Sequence, residues 1–295
     1  MQTREGYIDP PGKYADHNHV QFHQGKQFVH TFARYLKGPV LDVGCGDGRL
    51  TAYIAKTFKV KIVGLDVSRE RVQHANAHYA NQDVSFVVGD ACALAENAEL
   101  KKLKFKTIMS FNALHHIPQD KQKDVFKASA SLLDSDGKLL FMIPGKSKIL
   151  HGAIQETIAS SEWSAVFAKF DLKAVRTYQD LAYYHRQSSR LKLFTFVARA
   201  DAQLGSEELD LPAFKQFMAG WLPHLAYLKT ITESSAELLK LQDKLLQDIA
   251  TRYFGKMQVA LTEKVDVVVQ QNSMVLGKGK QGLMKHVGNK LRSRL

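Results

Sequence analysis

Cysteine is nearly absent, with only Cys45 and Cys92 in 295 residues. Two thiols exclude a disulfide framework and a zinc ribbon. No run of about eighteen apolar residues occurs, so no segment reads as a membrane-spanning helix. Met1 to Lys13 is polar and has no apolar signal region, so a cytoplasmic location is expected. Metal spacing is also missing. His17, His19 and His23 lie close together, but no acid or cysteine at ligand spacing accompanies them, and no metal is expected. Internal repeats and low-complexity tracts are absent too.

Acidic residues are scarce: 29 against 41 Lys and Arg, a net charge of +12 with a pI near 9.5. The excess is uneven, since six of the basic residues fall between Gly277 and Leu295 with no acid among them. Leu283, Val287, Leu291 and Leu295 recur every four residues there, the layout of a basic amphipathic helix. Such a tail suits an acidic partner: an acyl-carrier protein, an anionic membrane or RNA.

What the chain does have is a glycine turn. Pro39 to Val43 reads as a short buried strand. Gly44, Gly46 and Gly48 follow, permitting a tight turn and close approach of a ligand to the backbone. Arg49 to Phe58 reads as a helix, whose free N-terminal N–H groups face that ligand. A second strand, Lys61 to Leu65, ends at Asp66, placed to hold a ribose diol. A third, Val84 to Val88, ends in Gly89-Asp90-Ala91. A fourth, Phe105 to Phe111, ends in Asn112-Ala113-Leu114-His115-His116. A dinucleotide site needs no acid at 42 or 90 and wants glycine where Arg49 stands.

The set D-x-G-x-G-x-G, then G-L-D-V-S, then G-D-A resembles the class I S-adenosylmethionine-dependent methyltransferases, from about Tyr14 to Pro144. The resemblance implies an α/β, Rossmann-like fold: a seven-stranded, mostly parallel sheet with helices on both faces and helical inserts forming a lid. It implies S-adenosylmethionine as cofactor. Asp42, Gly44, Cys45, Gly46 and Gly48 would border its methionine part, Asp66 its ribose and Val67 its adenine. Asp90 and Ala91 would meet the adenine edge, and Asn112 would sit beside the transferring methyl. For Asp42, capping of the turn is an equal alternative to direct contact.

Lys138 to Ile143 reads as the fifth strand, Leu191 to Ala200 as a sixth and Val265 to Val269 as a seventh. Between the last two lie helical stretches at about 212–228 and 234–254, the second with Leu238, Leu241, Leu245, Ile249 and Tyr253 on one face. Inserts of this length should cover the crevice. The organisation expected is a leading segment at 1–38, a cofactor core at 39–145, a lid insert at 146–190, the last strands with their helices at 191–272, and a basic tail at 273–295. Trp163 and the run Phe217-Met218-Ala219-Gly220-Trp221-Leu222-Pro223 resemble the small-acid carboxyl methyltransferases that act on trans-aconitate, malonyl-acyl-carrier protein and juvenile hormone acid. Leu114-His115-His116 departs from that group's Leu-His-Trp and resembles quinone-pathway methyltransferases instead.

O-methylation of a carboxylate is the reading favoured, since an acid with a pKa near 4 is ionised at neutral pH and needs no base. A hydroxyl or carbon acceptor would need one, and His115 is the candidate. Candidate substrate contacts are Tyr14, His23, His116, Trp163, Tyr183 and Tyr184. An RNA methyltransferase is suggested only by charge, and the fourth strand lacks the Asn/Asp-Pro-Pro-aromatic signature of base-amino enzymes.

Overall fold

A computed structural model describes residues 19–145, 147–176 and 178–279. Helix α1 (His19–Thr31) leads into β1 (Val40–Val43), whose four residues are all buried. Then come α2 (Arg49–Phe58), β2 (Ile62–Asp66), α3 (Arg69–Tyr79), β3 (Val84–Val88), β4 (Phe105–Phe111), α4 (Gln122–Leu132) and β5 (Leu133–Pro144). Helix α3 starts where sequence chemistry asks it to: the Ser68 hydroxyl accepts from the Arg71 amide, and Glu70 lies in the positive first turn.

Seven strands form one sheet in the order β3-β2-β1-β4-β5-β7-β6. Strands β1 to β5 run parallel, while β7 is antiparallel to both neighbours. A reversal at β1, whose neighbours are β2 and β4, opens a crevice at the carboxyl ends of the strands. Two apolar clusters pack on the sheet. One gathers Leu41, Val43, Phe126 and Phe141, the other Phe28, Val40, Ile54 and Met109.

The last two strands outgrow the sequence expectation. β6 spans Phe194–Leu209 and β7 spans Val265–Lys278. Their sheet-side halves pair into the sheet, where Leu140 of β5 faces Val275. Their far halves continue as a two-stranded ribbon, from Gln203 against Gln271 to Leu209 against Val265. A register shift between Ala200 and Gln203 marks the bend.

That ribbon carries a helical cap. Helices α5 (Lys148–Ile158), α8 (Leu211–Ala219), α9 (Pro223–Ile231) and α10 (Ser235–Met257) join it in a separate apolar core containing Trp163, Phe214, Leu228, Leu245, Ile249 and Tyr253. Short α6 (Leu172–Val175) and α7 (Leu181–Leu191) precede β6. The expected face of α10 is found: Leu245, Ile249 and Tyr253 are buried, with Leu238 and Leu241 packed at the edge. One helix expected over 212–228 is two, because Gly220 ends α8 and Pro223 starts α9.

Candidate functional site

The turn after β1 is held by the neighbouring strand. Amides of Gly44 and Cys45 both donate to the Leu65 carbonyl, at 2.7 and 3.0 Å. Gly44 sits at φ +82°, and a β-carbon there would come within 2.4 Å of the Ala113 β-carbon. Only glycine fits. Asp66, at the end of β2, accepts from the Gly46 amide through Oδ2 and from the Ser68 amide through Oδ1, each at 3.0 Å. Each carboxylate oxygen keeps a further lone pair for a ligand. Asp90 Oδ1 accepts from the Cys92 amide at 2.8 Å.

Gly44, Gly46, Asp66, Val67, Asp90 and Ala91 line one wall of a cavity of about 1330 Å³. Asn112, His115 and His116 line the next part. Asn112 holds a left-handed φ of +50°, its amide donating to the Met142 carbonyl, and its Oδ1 is buried without a partner. The cap closes the far side through Leu150, Phe217, Trp221 and Leu225.

His115 is a buried imidazole whose Nδ1 has no partner. Its ring stacks on Tyr178 at 5.4 Å and 11°. Burial, and then the nearby Arg176 charge, hold its pKa well below the ordinary histidine range. It is therefore neutral at physiological pH and a weak base. Arg176 is 9% exposed, lines the cavity and contacts His116 Nδ1. Burial pushes the Tyr178 hydroxyl up, a shift that Arg176 partly opposes.

Several expected site residues lie elsewhere. Asp42 does not reach the cavity. It is buried beneath the turn, where Thr51 Oγ1 donates to its Oδ2 at 2.6 Å, and burial raises its pKa to about 6. That is the turn-holding role. Cys45 and Gly48 are also behind the wall; burial pushes the Cys45 thiol well up, and Gly48 caps α2 at φ +83° against Ala75 and Phe86. Trp163 faces inward in the cap core, its Nε1 donating to Asp248 at 2.8 Å. Tyr183 and Tyr184 pack in the sheet core, the first with its hydroxyl on the Gln119 carbonyl at 3.4 Å. A side chain enclosed by its own core cannot touch a substrate. His23 is exposed on α1 and is not part of the cavity wall, and Tyr14 lies outside the described residues.

Sequence reasoning overlooked Arg176, Gln24 and Gln271, which all line the cavity. Arg176 follows the short α6 in a stretch with no periodicity, so no local signal marked it.

Residues 40–137 match the methyltransferase domain family. The chain carries a methyltransferase domain. Its fold is the Rossmann-like class I fold, and S-adenosylmethionine is the cofactor of such a domain. The residues present fit that group. A turn with no room for a β-carbon at Gly44, a buried acid ending β2 and an exposed apolar Val67 at the rim all open on one cavity. Gly44, Gly46, Asp66, Val67, Asp90, Ala91 and Asn112 would hold it.

Two curated relatives mark the range. A phosphoethanolamine N-methyltransferase from Triticum aestivum is 28% identical over 221 residues, covering 71% of this chain and 39% of its own. A juvenile hormone acid O-methyltransferase from Bombyx mori is 32% identical over 127 residues, covering 42% and 43%. The chain thus spans about two-fifths of the length of these relatives. A cyclopropane synthase structure from Mycobacterium tuberculosis shares the fold at a TM-score of 0.51 and 18% identity, over 86% of this chain and 84% of that one. Among the described residues, no helix is long and apolar enough to cross a membrane, and no group of three or more His, Cys, Asp or Glu is arranged for a metal.

Proposed function

We propose that this methyltransferase domain transfers a methyl group from S-adenosylmethionine to a small anionic acceptor, the best reading being O-methylation of a carboxylate. One observation carries it: the buried guanidinium of Arg176 stands in the wall of the same cavity as the glycine turn and Asp66. A desolvated guanidinium favours a carboxylate or phosphate through two parallel hydrogen bonds. The cofactor, when bound, supplies an activated methyl on sulfur. The protein then needs to align and dry the acceptor, and positioning of that kind lowers barriers by about 7–11 kcal/mol. A neutral, weakly basic His115 suits an acceptor that is already ionised, where it orients rather than deprotonates.

A second reading has its own support. The wheat relative's match covers 71% of this chain and so extends beyond the shared domain, and its name specifies a phosphate-bearing amine. Arg176 would then hold the phosphate, and nitrogen would accept the methyl. The experiment is a panel of carboxylic acids, phosphoethanolamine, quinols and RNA with methyl-labelled cofactor, read by mass spectrometry. A methyl ester is the expected product. Arg176→Met should raise the acceptor KM at least tenfold, roughly the worth of one charged hydrogen bond, and leave cofactor affinity alone. His115→Asn should cost little rate and keep a flat pH profile above about pH 6. Products only from the quinols, with a bell-shaped profile, would replace this reading with base-assisted hydroxyl methylation. The basic residues at 280–295 lie outside the described structure, and attraction of an acidic partner remains part of the proposal.

A further inference from the structure

On the cap side the cavity changes character. Leu150, Phe217, Leu222, Leu225 and Val269 give it an apolar lining. Ser147, His151, Trp221, Gln270 and Gln271 interrupt that lining. Trp221 Nε1 and Gln271 Nε2 are both buried and have no hydrogen-bond partner. Both are fixed in place. Trp221 stands in the break between α8 and α9, with its ring 5.8 Å from Phe217 and 6.1 Å from His151. Gln271 sits where β7 leaves the sheet, its backbone in register with Pro144 on one side and Gln203 on the other.

The other tryptophan is the control. Trp163 belongs to the same cap, yet its indole N–H is given to Asp248 at 2.8 Å. A buried donor left unpaired costs more than a paired one returns, so such groups are kept where something else completes them. An indole can only donate, so what completes Trp221 must accept.

We propose that Trp221 and Gln271 form a specificity subsite for a hydrogen-bond-accepting oxygen carried on the apolar body of the acceptor. This rests on reading the cavity as the acceptor site of a methyltransferase. The occupant is an oxygenated alkyl or aryl compound, with its anionic end toward Arg176 and a ketone, ester, ether or hydroxyl oxygen beneath the cap. Short di-acids leave the two donors unmet.

The test uses the two indoles as reporters. In the 15N-labelled full chain saturated with S-adenosylhomocysteine, Trp163 and Trp221 give two indole N–H resonances, assigned with Trp221→Phe. Probes are 7-oxooctanoic acid, octanoic acid and the neutral 2-octanone. The oxo acid should move the Trp221 resonance downfield and bind about tenfold more tightly than octanoic acid. Trp221→Phe and Gln271→Leu should each bring that ratio to within about threefold, leaving octanoic acid and S-adenosylhomocysteine affinities unchanged. If 2-octanone moves Trp221 while neither acid binds, the acid reading fails and the subsite stands. If neither ketone moves Trp221, or the preference survives in both variants, the donors are satisfied by water and the subsite is overturned.

Discussion

The two sides of the cavity are built by different means. On the cofactor side the wall is mostly backbone and small residues at the ends of consecutive strands: Gly44 and Gly46 after β1, Asp66 as the last residue of β2, Asp90 and Ala91 after β3. On the acceptor side it is side chains from distant segments: Leu150, Arg176, Phe217, Trp221 and Gln271. A wall of main chain ties geometry to the fold, whereas a wall of side chains can change specificity while the fold stays. The sides also rest on different cores, the two apolar clusters of the sheet for one and the core under the cap for the other.

The largest test of that division is Gly44→Val. Its β-carbon would collide with Ala113, in a backbone conformation that valine rarely adopts. S-adenosylmethionine affinity should fall by at least a hundredfold, about 2.7 kcal/mol, while hydrogen exchange in α10 stays as in the wild type. Equal loosening of α10 would mean the two regions fold as one.

Acid should drive the regions in opposite directions. His224 is buried in the cap beside Phe167 and Phe170, and burial lowers its pKa from 6.5 to about 4. Unfolded chain then binds the proton first, so cap stability is lost as pH falls below 6.5, by about 2 kcal/mol on reaching pH 5. Asp42 has the reverse sign. Its pKa is raised by burial to about 6 from 3.8, the folded sheet holds the proton more tightly, and stability falls as pH rises from 3.8 to 6. Between pH 8 and pH 5 the sheet should gain roughly 1.4 kcal/mol from this group. The buried His115 just after β4 carries the same sign as His224, so hydrogen exchange of α9 and α10 against β1 and β2 at the two pH values would show the divergence in the His115→Asn chain. Parallel changes in both would break the comparison.

Trp163→Phe removes one buried hydrogen bond and leaves the Asp248 carboxylate without that partner. Cap stability should fall by about 1–3 kcal/mol, read as faster proteolysis within α10, with S-adenosylmethionine affinity unchanged. A weaker cofactor would show that the cap helps to build the cofactor wall.

The smallest effect is expected from removing residues 280–295. Cofactor affinity should not move, and any salt-dependent binding to an acidic partner should flatten. Loss of cofactor affinity would make the tail part of the sheet domain.

The cofactor side was legible because its requirements are local. A tight turn needs glycine at 44, and the carboxylate that ends β2 reaches the cavity from the strand's own last position. The parallel run of β1 to β5 was legible in the alternation of strands and helices, since parallel strands need crossover connections, while the strand order was not. Sequence also placed the apolar face of α10, because a helical stripe repeats within one segment. Depth escaped it. Asp42 lies one strand position from the turn yet points at Thr51 instead of the ligand, and Trp163, Tyr183 and Tyr184 look like lid aromatics until burial shows them in cores. Arg176 and Gln271 reach the same cavity from positions ninety-five residues apart, through a ribbon whose length and bend no short-range pattern encodes. Local chemistry therefore fixed the cofactor turn, and only the packing of the cap on that ribbon decided which side chains face the acceptor.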